Sequence, residues 1–183
     1  MKANTFIEKD DLWKNKETYL NRKRYSKILN FIDEIKEPVL DIGERNPLIE
    51  FIENELNINT TSSDKTDMDY QSIRGQYGTI FFFAVIEHLF NPLFALENIK
   101  KALKNDGIIY LSTPHRPHFL WTEHHFHEMD TMRIQWLFER ANLKIMKHEK
   151  HYLHDKWFRN LRGLRPFCRI FYKSMGLYQL KKL

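Results

Sequence analysis

The stretch from Tyr77 to Ser112 constrains the fold of this 183-residue chain more than any other segment. Ile80 to Ile86 is an unbroken apolar run, suited to a strand covered on both faces and far short of the roughly 20 residues that cross a bilayer. Asn91-Pro92 then supplies an N-cap and a first-turn proline, and Leu93, Leu96, Ile99 and Leu103 recur at helical spacing behind it. Asn105-Asp106-Gly107 forms a tight-turn signal, followed by a second strand from Ile108 to Ser112. A strand, a helix and a strand so spaced imply parallel pairing through a right-handed crossover.

The same grammar extends to either side. Tyr25, Ile28, Leu29, Ile32 and Ile35 predict a core-facing helix that ends before Glu37-Pro38, because the residue ahead of a proline disfavours helical backbone. Val39 to Ile42 is a short buried strand, and Asn46-Pro47 starts a helix through about Leu56, with Leu48, Ile52 and Leu56 inward. Ile58 to Ser63 predicts a further strand. Asp130 caps a helix whose stripe is Ile134, Leu137, Phe138 and Ala141, stopped by Asn142, and Leu143 to Lys147 follows as a strand. Alternating elements of this length predict an α/β fold, a doubly wound, mostly parallel sheet flanked by helices.

With 42% apolar residues the chain can bury one substantial core. The expected organisation is an α/β domain over 1–155, including an N-terminal helical lead-in, and a basic, aromatic C-terminal tail over 156–183 packed on the same domain. Of the 29 bases, eight lie in that tail with no acid, which leaves 21 bases against 24 acids in the rest. Two structures suit the tail: a helix begun by Pro166, with Arg165, Arg169 and Lys173 on one face and Phe167, Ile170 and Phe171 on another, fit for peripheral contact with an anionic membrane; or a last, antiparallel strand from Phe167 to Tyr172. Nucleic acid is the weaker partner, because no binding motif accompanies the bases. The single Cys168 fits a reducing compartment, and the charged start of the chain lacks an apolar leader, so the expected location is the cytoplasm, with the membrane surface open to the tail.

Val39-Leu40-Asp41-Ile42-Gly43, Glu87-His88-Leu89 at the end of the central strand, and the Asn105-Asp106-Gly107 turn together resemble the class I S-adenosylmethionine-dependent methyltransferases, over roughly residues 20 to 150. The resemblance implies S-adenosylmethionine as cofactor and methyl transfer to a polar acceptor, an oxygen of a small molecule, a saccharide or a lipid-linked intermediate. It places the site at the carboxyl ends of the strands. Asp41, Gly43 and Ala84 then belong to the cofactor side, and Asp64 matches the acid that holds the ribose. Asp67 or Asp69 matches the side that contacts adenine, unless they form only a polar turn. The cofactor loop reads Gly43-Glu44-Arg45-Asn46-Pro47, with Arg45 where a second glycine is usual. Arg45 either pairs with the cofactor's carboxylate or turns to solvent or a neighbouring acid. The distance from Asp64 to Thr79 is too short for the family's usual helix and edge strand, so the sheet is expected to have a trimmed edge.

Some relatives hold a divalent ion through Glu-x-x-Glu-His and a downstream histidine. Here the first position is Ala84, which removes a carboxylate and disfavours Mg²⁺, while His115, His118, His124, His125 and His127 could supply imidazoles for Zn²⁺ or Fe²⁺. The expectation is no metal, with Glu87 and His88 shaping the turn and the acceptor site. His115 and His118, just past Pro114, are candidates for the base that takes the acceptor's proton. The competing reading is a non-catalytic binding or scaffold protein that keeps the fold but has lost its glycine-rich loop. A third reading, a basic nucleic-acid or membrane adaptor using only the tail, predicts that truncation after Asp155 abolishes function while leaving the fold intact.

Overall fold

A computed structural model describes residues 19–115, 123–152 and 174–183. Its elements run α1 (Tyr19–Phe31), β1 (Val39–Asp41), α2 (Pro47–Leu56), β2 (Thr60–Ser62), β3 (Tyr77–Phe83), α3 (Pro92–Ala102), β4 (Leu103–His115), α4 (Thr131–Arg140), β5 (Leu143–Tyr152) and β6 (Ser174–Lys182), with a 3₁₀ turn at Ile86–His88. The six strands form one sheet in the order β2-β1-β3-β4-β6-β5. β2, β1, β3 and β4 are mutually parallel, and β6 lies antiparallel between β4 and β5.

The helix starts follow the sequence signals. Asn46 Oδ1 accepts the backbone N–H groups of Leu48 and Ile49, Asn91 Oδ1 that of Phe94, and Asp130 Oδ1 that of Arg133, so each helix has orphan donors satisfied at its first turn. Along β3 the side chains alternate between two cores. Ile80 and Phe82 join Leu40, Ile109 and Leu111 under α3 and α4, where Leu96, Ile99, Ile134 and Phe138 are buried. Phe81 joins Val39, Ile108 and Tyr110 under α1 and α2, where Tyr25, Ile28, Phe31, Leu48, Ile49 and Ile52 pack. Burying each such side chain contributes about 1.5–3 kcal/mol, so both faces of the sheet are needed for stability.

Three expectations are corrected or refined. The first helix ends at Phe31 rather than continuing through Ile35. Beyond it the backbone finds partners on the sheet: Glu34 N–H donates to the Tyr110 hydroxyl, which donates to Glu34 O, and Lys36 N–H donates to Thr79 Oγ1. Ile32 and Ile35 still pack on the core from this non-helical stretch. Next, residues 103 to 107 belong to β4 as a wide irregularity, since Tyr77 faces Leu103 but Thr79 faces Ile108. Finally, the last described residues of the 156–183 segment form a strand of the sheet. β6 pairs with both neighbours over most of its length and its Leu177, Tyr178 and Leu180 are fully buried, so the chain's end is an interior strand. The tail stretch from Lys156 to Lys173, including Cys168, lies outside the described residues.

The trimmed edge is present as expected. Between β2 and β3 the chain makes only turns, with Met68 buried beneath them, and β2 is left as the edge. Among the described residues no helix is long and apolar enough to cross a membrane.

Candidate functional site

The parallel strands deliver their carboxyl ends to one side of the sheet, where Asp41 lies in register with Phe81, and Phe83 with Ser112. Asp41, the last residue of β1, is 2% exposed, and its Oδ2 has no hydrogen-bond partner among the described residues. Burial above all, and Glu53 beside it, push its carboxyl up to about 7, with Arg45 only partly opposing. Gly43 follows with φ +120°, a conformation that side-chain-bearing residues rarely adopt. This turn is fastened to β2: Gly43 N–H donates to Ser63 Oγ at 3.0 Å, and Ser62 Oγ donates to Gly43 O at 2.6 Å. Asp64 comes next, exposed, its N–H donating to Ser62 Oγ. Ser62 and Ser63 also line a cavity of about 630 Å³ with Leu40, Thr66, Ile73 and Tyr77, in the space beside the trimmed edge.

A cationic ligand with a flat, polar body fits these residues. Asp41 offers a buried oxygen that lacks a donor among the described residues, Gly43 presents backbone with no side chain on it, and the cavity continues from the same serines. S-adenosylmethionine, with a cationic amine and sulfonium and an adenosine body, has that chemistry.

Not every expected cofactor residue faces this space. Arg45 folds back on α2, where its guanidinium pairs with Glu53 and lies 3.7 Å from Glu50, so of its two readings the structure displays the pairing with neighbouring acids. Glu53 is held in turn by the N–H and hydroxyl of Thr60 at 2.9 and 2.8 Å, which ties α2 to β2. Asp67 and Asp69 serve the turn after β2: Asp67 Oδ1 accepts Asp69 N–H, and Asp69 Oδ1 accepts Asn91 N–H at 2.7 Å, fixing the start of α3. Ala84, just after β3, is in left-handed backbone, φ 54°, with its N–H shared between the Ser112 carbonyl and hydroxyl at 2.9 and 3.1 Å. A non-glycine residue held there is strained, and such positions gather at functional sites.

The 3₁₀ turn after Ala84 carries the second half of the site. Glu87 is 2% exposed, and burial pushes its carboxyl up to about 7. Thr113 Oγ1, at the end of β4, lies 3.4 Å from Glu87 Oε2. The backbone carbonyl of Glu87 accepts the N–H groups of Phe126 and His127, which anchors the loop 123–130 across the strand ends. That loop brings His125 edge-to-face with His88, ring centroids 4.5 Å apart, and His125 Nδ1 lies 2.5 Å from Oε1 of the buried Glu128.

His115 is not placed to be a base. It is 5% exposed, its Nδ1–H donates to Met129 O at 2.5 Å, and its Nε2 accepts the Tyr178 hydroxyl at 2.8 Å. A Cβ on Gly176 would lie 2.2 Å from Nε2, so β6 closes over the ring. Its place at the last position of β4, paired with β6, turns it into the core, and burial lowers its pKa further. His118 lies outside the described residues. Glu87 and His88 share the 3₁₀ turn, and the loop adds Glu128, which was not anticipated, and His125, which stood undistinguished among the loop histidines. The local signal was His125-x-x-Glu128, an imidazole and a carboxylate three residues apart just ahead of the Asp130 cap.

Comparison with known proteins agrees with this architecture. The family model described as "Methyltransferase domain" matches residues 21–173. A search of curated proteins finds no match. Among solved structures, an S-adenosylmethionine-dependent methyltransferase from Archaeoglobus fulgidus superposes with a TM-score of 0.68 at 12% identity, covering 97% of this chain and 100% of the other. The O-methyltransferase of a polyketide multienzyme from Brevibacillus brevis, solved with S-adenosylhomocysteine, gives 0.57 at 15% identity over 90% and 78% of the two chains. An S-adenosylmethionine-dependent methyltransferase from Mesorhizobium loti gives 0.57 at 9% identity over 86% and 96%. At such identities these likenesses establish the fold, while the domain match covers most of the chain. The chain therefore belongs to the methyltransferase-domain family, the class I methyltransferases whose cofactor is S-adenosylmethionine.

Proposed function

We propose that this methyltransferase acts on an oxygen of a polar acceptor, a small molecule, a saccharide or a lipid-linked intermediate. The observation that carries the reading is the cluster of Glu87, His88, His125 and Glu128 beside Thr113, its two carboxylates buried, at the mouth of β3 and β4. Acids and imidazoles drawn away from water cost stability unless they serve a polar partner, and an acceptor hydroxyl is such a partner. On the opposite side Asp41, Gly43 and Asp64 would hold S-adenosylmethionine, which supplies an electrophilic methyl group on its sulfonium. Asp41 meets a cationic part of the cofactor, Gly43 lets the backbone come close, and Asp64 receives the ribose hydroxyls. Ser62 and Ser63 keep that turn in place through their bonds to Gly43. The exposed Phe90, stacked on Phe126 with ring centroids 4.2 Å apart, gives the acceptor side an apolar rim.

Such a site gains rate chiefly by positioning, with the acceptor oxygen held in line with the methyl group and water excluded. A non-catalytic role has one observation in its favour, the closure of Arg45 onto Glu53 in a loop that keeps a single glycine. The two readings separate in an assay of methyl transfer from labelled S-adenosylmethionine to a panel of hydroxylated acceptors. Transfer to oxygen, reduced at least tenfold by Glu87→Gln while S-adenosylhomocysteine still binds, supports O-methylation. Cofactor binding without transfer to any of the panel, or transfer to nitrogen, contradicts it.

A further inference from the structure

We propose that the cofactor site is open beyond the adenine and accepts S-adenosyl compounds enlarged by an aryl group on the exocyclic amine of the base. The proposal rests on the placement of the cofactor at Asp41, Gly43 and Asp64 given above. What carries it is the cavity beside the trimmed edge, which is longer and larger than a base requires.

The cavity starts at Ser62 and Ser63, the two residues before Asp64, and reaches Tyr77 at the start of β3. Ser62 is in register with Asp41, and Asp41 with Phe81, so the two ends are four residues of β3 apart. A rise of about 3.3 Å per residue makes that roughly 13 Å. A ribose held by Asp64 directs its base into the near end, beside the two serines and Thr66. The exocyclic amine is on the edge of adenine remote from the ribose, so a substituent there extends toward Ile73, Arg74 and Tyr77. Volume agrees with length. The cavity measures about 630 Å³, whereas a pocket of roughly 150 Å³ is enough for a benzene-sized ring.

The space is framed by hydrogen bonds. With no crossover helix between β2 and β3, the chain from Asp64 to Gln76 crosses as a strap that is fastened along α3 at three points. Asp69 Oδ1 accepts Asn91 N–H at 2.7 Å, Ser72 Oγ donates to Asn98 Oδ1 at 3.3 Å, and Gln76 Nε2 donates to Lys101 O at 2.8 Å. These points run from the N-cap of α3 to its last turn, and they hold the strap as the outer wall of the cavity while Leu40 of β1 lines it from the sheet.

The far walls suit an aryl group. Leu40 and Ile73 are apolar, and Tyr77 and Arg74 carry planar groups on which a flat ring stacks. The Tyr77 hydroxyl donates to Arg74 O at 3.1 Å, which keeps the two together. A base alone leaves these residues facing water, and an aryl extension covers them.

Calorimetric titration of the ligand-free full chain with S-adenosylhomocysteine, and with its analogue bearing a benzyl group on the adenine amine, tests the proposal. The expected result is saturable binding of both, with dissociation constants within tenfold of each other. Ser72→Trp and Ile73→Phe add bulk to the cavity wall and should weaken the benzyl analogue at least tenfold relative to the parent compound. Ser72 is exposed, so its variant keeps the test available should Ile73→Phe, at a residue packed on the core, fail to fold. Binding of the parent compound with the analogue more than tenfold weaker, or absent, overturns this proposal and leaves the cofactor site standing. So does a relative affinity unchanged in every folded variant. Binding of neither compound overturns the cofactor placement as well.

Discussion

Asp41→Asn isolates the most costly ionisable group of the cofactor side. The Asp41 carboxyl is 2% exposed, and burial raises its pKa from 3.8 to about 7. At about 1.4 kcal/mol per unit, holding it ionised in the folded chain costs on the order of 4 kcal/mol. The sign follows from proton binding. Between pH 4 and 7 the unfolded chain has released this proton and the folded chain retains it, so stability falls as pH rises through that window and levels off above about 7. Asparagine does not titrate. Its buried amide brings a fixed penalty of its own, about 1–3 kcal/mol if its donors find no partner, but that penalty is the same at every pH. The stability of the variant relative to wild type should therefore increase by roughly 2–3 kcal/mol between pH 5 and pH 8, about 5–10 °C in Tm for a chain of this size. Urea unfolding of the ligand-free proteins at pH 5, 6.5 and 8, with equal m-values, measures the difference directly. The same variant should bind S-adenosylhomocysteine more weakly, because the buried carboxylate is what a cationic amine compensates. A difference between the two proteins that stays constant from pH 5 to pH 8 would refute the reasoning.

Three further outcomes follow from the same geometry. His115→Gln should lower stability by about 2–3 kcal/mol, since Met129 O and the Tyr178 hydroxyl lose well-placed partners, while the folded fraction keeps the wild-type pH–rate profile; intact stability with a lost basic limb in that profile would restore His115 as a base. Asp64→Ala should weaken S-adenosylhomocysteine binding about tenfold without changing Tm, because the side chain is exposed; unchanged affinity in calorimetry removes it from the site. Truncation before Ser174 deletes the strand between β4 and β5 and should abolish the cooperative thermal transition, whereas a surviving sharp transition would mean that β6 is dispensable.

The sequence disclosed most of this fold, because the signals it carries are local. Asn46-Pro47, Asn91-Pro92 and Asp130 start helices by satisfying N–H groups within three residues, and the apolar run from Ile80 can be buried only between two helical layers. The trimmed edge was a matter of counting, since 15 residues from Asp64 to Thr79 leave no room for a crossover helix and another strand. The misplacements are long-range. Residues 32–36 have a helical pattern but leave the helix, and Tyr110 and Thr79, some 40 to 80 residues away, take the N–H groups of Glu34 and Lys36. His115 looks like a site residue until β6, about 60 residues on, presents Tyr178 and Gly176 to it. Arg45 had two readings because its partner Glu53 lies a helix length away, and the His125–Glu128 pair gained meaning only when the Glu87 carbonyl drew its loop over the strand ends.

Calorimetric titration of the ligand-free full chain with S-adenosylhomocysteine tests the central claim most directly, that this trimmed sheet with a single-glycine loop is a working S-adenosylmethionine site. The account predicts saturable binding of one equivalent with a micromolar dissociation constant, weakened by Asp41→Asn and by Asp64→Ala. No heat of binding from pH 6 to pH 8, with the protein shown to be folded, would contradict it.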